Sequence, residues 1–163
     1  MRRSRGFTLV ETLAAVAILV ILIATMSLGL ASASDTYRIS LFDAESATLA
    51  DTVDTALGDV LRYAAWERED RFTNPDYGVS GGRLFLKEGK LCINPSPLDE
   101  DAEGLRITPL ISDGAYSNLE LSGFTLSYED GVFRGSYTIA SEGISREIEF
   151  CFRTLRCGGN KGA

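Results

Sequence analysis

A long uncharged run near the amino terminus constrains this chain more than any other feature. Between Arg5 and Asp35 the only charged side chain is Glu11, and residues 12–34 carry no charge. A membrane-spanning helix needs about 20 apolar residues, so this run is long enough to cross a bilayer. A carboxylate in such a span costs about 3 kcal/mol unless a partner compensates its charge. We therefore predict that Glu11 has a functional partner.

The charges on either side of the run predict its orientation. Three arginines precede it, Arg2, Arg3 and Arg5, whereas Asp35 and Asp43 follow it. Positively charged flanks stay in the cytoplasm. We expect a single span with its amino terminus inside and the rest of the chain outside.

Two simpler kinds of amino-terminal segment are alternatives. A secretory signal has a basic start, 7–15 apolar residues and a small-residue cleavage site, and Ala31-Ser32-Ala33 resembles such a site. The apolar run here is longer, however, and Glu11 interrupts its start. A plain single-pass anchor is the other alternative.

The composition argues against several functional classes. The chain has 163 residues and a formal charge of −7, and without the three arginines of residues 1–6 its 13 basic and 23 acidic residues would give −10. A strongly acidic chain is not typical of nucleic-acid binding. The sequence contains no histidine, which removes the commonest general base and the commonest metal ligand. We find no catalytic set of side chains and predict no enzyme and no cofactor.

Three cysteines leave the redox state of the chain open. Cys151 and Cys157 could close a small disulfide loop near the carboxyl terminus, and Cys92 could compete for either partner. Connectivity cannot be read from a sequence, and free thiols that behave as small hydrophobic side chains are the alternative. We retain Cys151–Cys157 as the candidate disulfide.

A helical pattern continues beyond the apolar run. No proline occurs between Asp35 and Arg71, and apolar residues recur at helical spacing on one face. The face consists of Phe42, Leu49, Val53, Leu57, Val60 and Ala64. We expect an amphipathic helix over residues 35–71, and a break or weakening near Gly29.

Residues 72–163 have the pattern of antiparallel strands joined by tight turns. Asn74 to Gly78 has turn chemistry and ends the helical region, and three pairs of an acidic residue with glycine mark hairpins. These pairs are Glu88-Gly89, Asp130-Gly131 and Glu142-Gly143. The expected strands are 83–87, 90–94, 105–111, 124–128, 132–140 and 144–153.

The acidic stretch from Asp99 to Gly104 has the alternating acids and the glycine of a calcium-binding loop. Such a loop needs a bidentate glutamate at its twelfth position, where this chain has Leu110. We therefore interpret the stretch as a solvated acidic loop and predict no metal site.

The segment Gly6-Phe7-Thr8-Leu9-Val10-Glu11, behind a short basic leader, resembles the amino terminus of type IV pilins and of the related pseudopilins. The resemblance implies that residues 1–6 are a leader, that a prepilin peptidase cuts between Gly6 and Phe7, and that Phe7 is N-methylated. It also implies that Glu11 is the family's signature acid, which pairs with the Phe7 amine of a neighbouring subunit in the filament.

Together these arguments predict an α+β protein with a pilin-like architecture. A transmembrane helix (residues 7–34) and an amphipathic half (residues 35–71) would pack on an antiparallel β-meander head (residues 72–163). The resemblance implies a membrane precursor that becomes a subunit of a cell-surface filament, most simply a minor pilin. Its implied partners are the prepilin peptidase, other pilin subunits, and the assembly platform with its ATPase. A pseudopilin of a secretion or DNA-uptake system and a membrane-tethered binding module are the alternatives.

Overall fold

The computed structural model describes residues 8–67, 70–96 and 107–155. One long amino-terminal helix, α1 (Leu9–Leu61), is followed by two antiparallel sheets, which is an α+β, pilin-like arrangement. The chain divides into two compact units, Met1–Leu41 and Phe42–Ala163. The predicted fold class is confirmed.

Helix α1 runs through Gly29 without the break that we expected there. The hydroxyl groups nearby bond to the helix itself: Ser27 Oγ donates to the carbonyl of Ile23 at 2.9 Å, and Thr25 Oγ1 donates to that of Leu22 at 2.9 Å. Such bonds to the preceding turn often bend a helix slightly, but here the helix is continuous through them. A single glycine costs a helix only about 1 kcal/mol, which the apolar residues around it can offset.

The helix ends at Leu61 and not at Arg71, so the expected carboxyl-terminal part of the amphipathic helix was wrong. The last carbonyls of a helix need other donors, and remote residues supply them here. Asn74 Nδ2 donates to the carbonyl of Val60 at 2.7 Å, and the backbone amide of Leu155 donates to that of Arg62 at 2.7 Å. These partners come from far along the chain, so local sequence could not show them.

The first sheet has five strands in chain order. They are β1 (Ala65–Trp66), β2 (Arg71–Asn74), β3 (Val79–Lys87), β4 (Lys90–Asn94) and β5 (Thr108–Pro109). A 3-10 turn at Pro75–Tyr77 joins β2 to β3, capped by the Asn74 side chain and ended by Gly78 at φ 64°. The predicted turn is thus confirmed, and β1 together with Arg71, the first residue of β2, occupies positions that we expected to be helical.

The second sheet has three strands, β6 (Glu120–Glu129), β7 (Val132–Ser141) and β8 (Ile144–Arg153), in the order β6-β7-β8. The predicted single meander is therefore two successive meanders. The predicted span of β8 is confirmed to the residue, whereas β6 begins before its predicted start and contains a register shift between Ser122 and Thr125.

The three predicted hairpins are confirmed, and each has the backbone that its acid–glycine pair favours. Both central residues have positive φ, for example 52° at Glu88 and 72° at Gly89, and 45° at Glu142 and 85° at Gly143. Positive φ at both positions defines the type I′ turn, whose twist matches the strands that it joins. The turns therefore fix the registers of β3–β4, β6–β7 and β7–β8.

The predicted helical stripe is buried against the sheets within the Phe42–Ala163 unit. Val53, Leu57 and Val60 are fully buried, and they belong to one core with residues of both sheets such as Phe72 and Phe133. Fully burying a side chain of this size contributes about 1.5–3 kcal/mol. The head therefore depends on the carboxyl-terminal part of α1 for its core.

One polar contact between α1 and the second sheet was not predicted. Tyr137 is fully buried, and its hydroxyl donates to Asp54 Oδ1 at 3.0 Å. Burial raises the pKa of Asp54 above its ordinary value of 3.8, although the hydrogen bond from Tyr137 opposes the rise. The folded state consequently binds this proton more tightly than the unfolded state does, and the contribution of Asp54 to stability falls as the pH rises through its folded pKa.

Replacing Asp54 with asparagine should remove this loss of stability. Asparagine has the shape of the neutral carboxyl group and can still accept the Tyr137 hydrogen bond. We expect the free energy of unfolding of Asp54→Asn, relative to the wild type, to increase as the pH rises from about 3.5 to about 7. Denaturant titrations at both pH values measure it. A difference that does not change with pH, or that decreases, would contradict the prediction.

Candidate functional site

The first turn of α1 contains the candidate assembly residue. Glu11 Oε2 accepts from the backbone amide and from the hydroxyl of Thr8, each at 3.3 Å, and the Glu11 amide donates to Thr8 Oγ1 at 3.3 Å. This reciprocal pattern is a capping box, in which Thr8 is the N-cap and Glu11 is the N3 residue. The local sequence explains it, because a threonine followed three positions later by a glutamate satisfies two otherwise unpaired amides.

The capping box fixes the position of the Glu11 carboxylate, and the first turn of the helix partly stabilises its negative charge. A negative charge in the first turn is stabilised by the helix dipole, typically by 0.3–1 kcal/mol. The hydrogen bonds from Thr8 are neutral, however, and no cation neutralises Glu11 within the residues that the structure describes. The first turn therefore holds an oriented carboxylate at the start of an apolar helix, without a cation beside it among the described residues.

The helix behind Glu11 exposes its apolar side chains on all sides. Leu9, Val10, Leu13 and Met26 are each at least 66% exposed, and α1 contains a stretch that is long and apolar enough to cross a membrane. Isolated in water, so much apolar surface would be unfavourable. A lipid bilayer or another apolar surface would cover it.

Several predicted site residues lie outside the described residues. Gly6 and Phe7, with the cleavage between them and the methylation of Phe7, are among them. So are Cys157 and the acidic loop of residues 99–104. The assignments for these residues stay predictions.

The two described cysteines lie in different environments. Cys92 is buried in β4, where burial raises the pKa of its thiol, and Cys151 is exposed in β8. Neither forms a disulfide within the described part of the chain. The pairing of Cys151 with Cys157 stays a prediction.

One cleft of the head lies at the end where two hairpin turns meet. It has a volume of about 880 Å³, and its polar lining includes Glu88, Asp113, Glu120 and Glu142. Lys90 also lines it and forms an ion pair with Asp113 at 2.8 Å. No group of three or more histidine, cysteine or acidic side chains among the described residues could hold a metal ion. The cleft thus offers an acidic, open surface without a nucleophile and base in contact.

Comparison with known families identifies the amino-terminal segment. Residues 1–27 match the family model described as the prokaryotic N-terminal methylation motif, which is the prepilin-type signal of type IV pilins. The match includes Gly6, Phe7 and Glu11. No curated protein and no solved structure matches the chain. The head is therefore characterised by its own geometry.

Proposed function

We propose that this chain, whose residues 1–27 carry the prepilin-type signal, is a structural subunit of a type IV pilus or of a pilus-like filament, in the manner of a minor pilin. The observation that carries the proposal is this signal directly followed by a helix with exposed apolar side chains. The precursor is a single-span membrane protein with its amino terminus inside. After assembly the head lies on the cell-surface filament.

Processing changes the charges at the amino terminus before the subunit is assembled. Cleavage after Gly6 by the prepilin peptidase removes Arg2, Arg3 and Arg5 and creates a new amine on Phe7. An assembly platform driven by an ATPase then moves the subunit from the bilayer into a fibre of pilin subunits. The apolar surface of α1 exchanges lipid contacts for helix contacts.

In this assembly Glu11 sets the register of each subunit relative to its neighbours. In the fibre its carboxylate pairs with the Phe7 amine of an adjacent subunit, which supplies the positive charge that Thr8 does not. A subunit in the wrong register would bury an unpaired carboxylate, at a cost of several kcal/mol. This penalty disfavours misplaced subunits more than it strengthens correct ones.

The proposal predicts the amino terminus of the mature chain. In cells that contain the prepilin peptidase, the assembled protein should begin at a methylated Phe7, because the peptidase cuts after Gly6. Amino-terminal sequencing combined with mass spectrometry measures this directly, and a Gly6→Val variant, which blocks cleavage, is the control. A mature chain beginning after Ala33 would instead identify an ordinary secreted protein, and a chain that still begins at Met1 would identify an uncut membrane anchor.

A further inference from the structure

Strand β8 forms an open edge of the second sheet. Within the described residues it pairs with β7 alone, over Ile144–Arg153. The outermost strands of the first sheet, β1 and β5, have two residues each, and the opposite edge strand β6 is bonded near its start, where the Leu121 amide donates to the carbonyl of Gly89. The ten-residue edge of β8 is thus the longest open edge among the described strands.

The direction of the β8 backbone groups follows from the bonds at its two ends. The Thr154 amide donates to Gly131 on the β7 side at 3.0 Å, whereas the next amide, of Leu155, donates to Arg62 on the other side at 2.7 Å. The tight turn at Glu142-Gly143 independently makes Ser141 and Ile144 the first hydrogen-bonded pair. Because these pairs alternate in antiparallel strands, the odd-numbered residues of β8 direct their amides and carbonyls to the open edge.

The two faces of β8 differ in chemistry along this edge. Glu147 and Glu149 are exposed on the outer face, and neither forms an ion pair with a described residue. On the face toward α1, Ile148 and Phe152 are only half buried. Arg146 and Arg153 flank this acidic centre. An added strand would therefore meet carboxylates on one face and apolar side chains on the other.

A second copy of β8 does not complement this edge. If two copies paired as antiparallel strands about a twofold axis centred on residues 147–149, Glu147 or Glu149 would lie opposite a glutamate of the other copy. Like charges directly opposite each other are destabilising. Axes closer to Arg153 would bring the second strand toward the Arg62 carbonyl, which already bonds to Leu155. Self-pairing centred on the acidic residues is thus disfavoured, and charged side chains commonly have this effect on exposed edges.

We propose that the outer edge of β8 binds an extended segment of a different polypeptide by strand addition. The segment carries basic residues opposite Glu147 and Glu149 and an apolar residue opposite Ile148, with further apolar residues on the same face. Main-chain hydrogen bonds supply the affinity, and the alternating side chains supply the specificity. The inference does not require filament assembly, since the edge belongs to the head of each subunit.

The test uses the full chain solubilised in detergent and a labelled synthetic peptide, Thr-Val-Lys-Val-Lys-Val-Thr. Fluorescence anisotropy measures its dissociation constant, and a peptide with glutamate in place of both lysines is compared with it. Glu149→Lys should weaken binding of the lysine peptide by about fivefold, because one opposite-charge pair becomes a like-charge pair. Glu129→Lys makes the same charge change at an exposed position on β6, and it should leave binding unchanged.

Hydrogen exchange separates strand addition from simple charge attraction. The amides of Glu147, Glu149 and Cys151 should exchange at least about tenfold more slowly when the lysine peptide is bound. Those of Ile148 and Phe150 are already bonded to β7 and should change little. The proposal is overturned if the lysine peptide does not bind, if Glu129→Lys weakens it as much as Glu149→Lys, or if the three edge amides remain unprotected. Protection of these amides by concentrated protein alone would likewise overturn it in favour of self-pairing.

Discussion

Replacing Glu11 with leucine should leave cleavage after Gly6 largely unchanged and reduce incorporation of the subunit into fibres by about 100-fold or more. In the fibre the variant would bury the Phe7 amine of its neighbour without a counter-charge. Breaking a buried ion pair by removing one partner costs about 3–5 kcal/mol, and 100-fold corresponds to about 3 kcal/mol. Quantitative immunoblotting of sheared fibres against the membrane fraction measures incorporation, and the mobility of the processed chain reports cleavage.

Two further variants separate the charge of Glu11 from its place in the capping box. Glutamine at N3 also completes a capping box, so Glu11→Gln retains the contacts with Thr8 but has no charge. Thr8→Ala retains the charge and loses the cap, at a cost of about 1 kcal/mol. We expect Glu11→Gln to fail as severely as Glu11→Leu, and Thr8→Ala to assemble within a few-fold of wild type.

The opposite pattern would assign Glu11 a different role. If Glu11→Gln assembled normally while Thr8→Ala failed, the first turn of α1 would matter through its helix cap and not through a charge. If Glu11→Leu itself reached wild-type levels in the fibre, the pairing role would be lost altogether. Each result is clear because both side chains are exposed in the single chain, so that neither substitution affects the core of the head.

The sequence predicted the elements whose causes are local. The apolar run gave the first half of α1, and each acid–glycine pair gave a hairpin because only those two residues decide the turn. Strand β4 was predicted to the residue since Glu88-Gly89 fixes its start and Asn94-Pro95 marks its end. At the amino terminus, the spacing of Thr8 and Glu11 on the chain is sufficient to form the capping box, but the role of Thr8 in it was not predicted.

The features that were missed depend on residues distant in the chain. Residues 62–71 contain no proline or other clear stop signal, yet the helix ends before them, where Asn74 and Leu155 bond to the carbonyls of Val60 and Arg62. The bond between Tyr137 and Asp54 joins residues 83 positions apart, and the openness of the β8 edge depends on which strands are its neighbours. None of these three features can be read from the order of residue types along the chain, because each depends on residues that only the fold brings together.

Replacing Gly135 with alanine should lower the free energy of unfolding by about 3 kcal/mol, near the upper end of the cost of overpacking. Gly135 lies in β7 opposite Leu126 of β6 and Phe150 of β8. A methyl group there would lie 2.0 Å from the carbonyl oxygen of Thr125 and 2.6 Å from Cζ of Phe150. The oxygen belongs to the backbone of the neighbouring strand, so relief requires β6 and β7 to separate where the β6 register shifts.

Gly114→Ala is the matched control, because a methyl group at Gly114 has no neighbour within 4 Å. It should change the free energy of unfolding by no more than about 0.5 kcal/mol. Denaturant titration of the detergent-solubilised chain can be followed by the fluorescence of Trp66, the single tryptophan, whose ring stacks on Tyr128 of the second sheet at 5.6 Å. Equal stability of the two variants would show that β6 and β7 do not approach each other closely at Gly135. A loss of stability in Gly135→Ala alone would instead support the close packing at Gly135 that holds Phe150, and with it β8, in place.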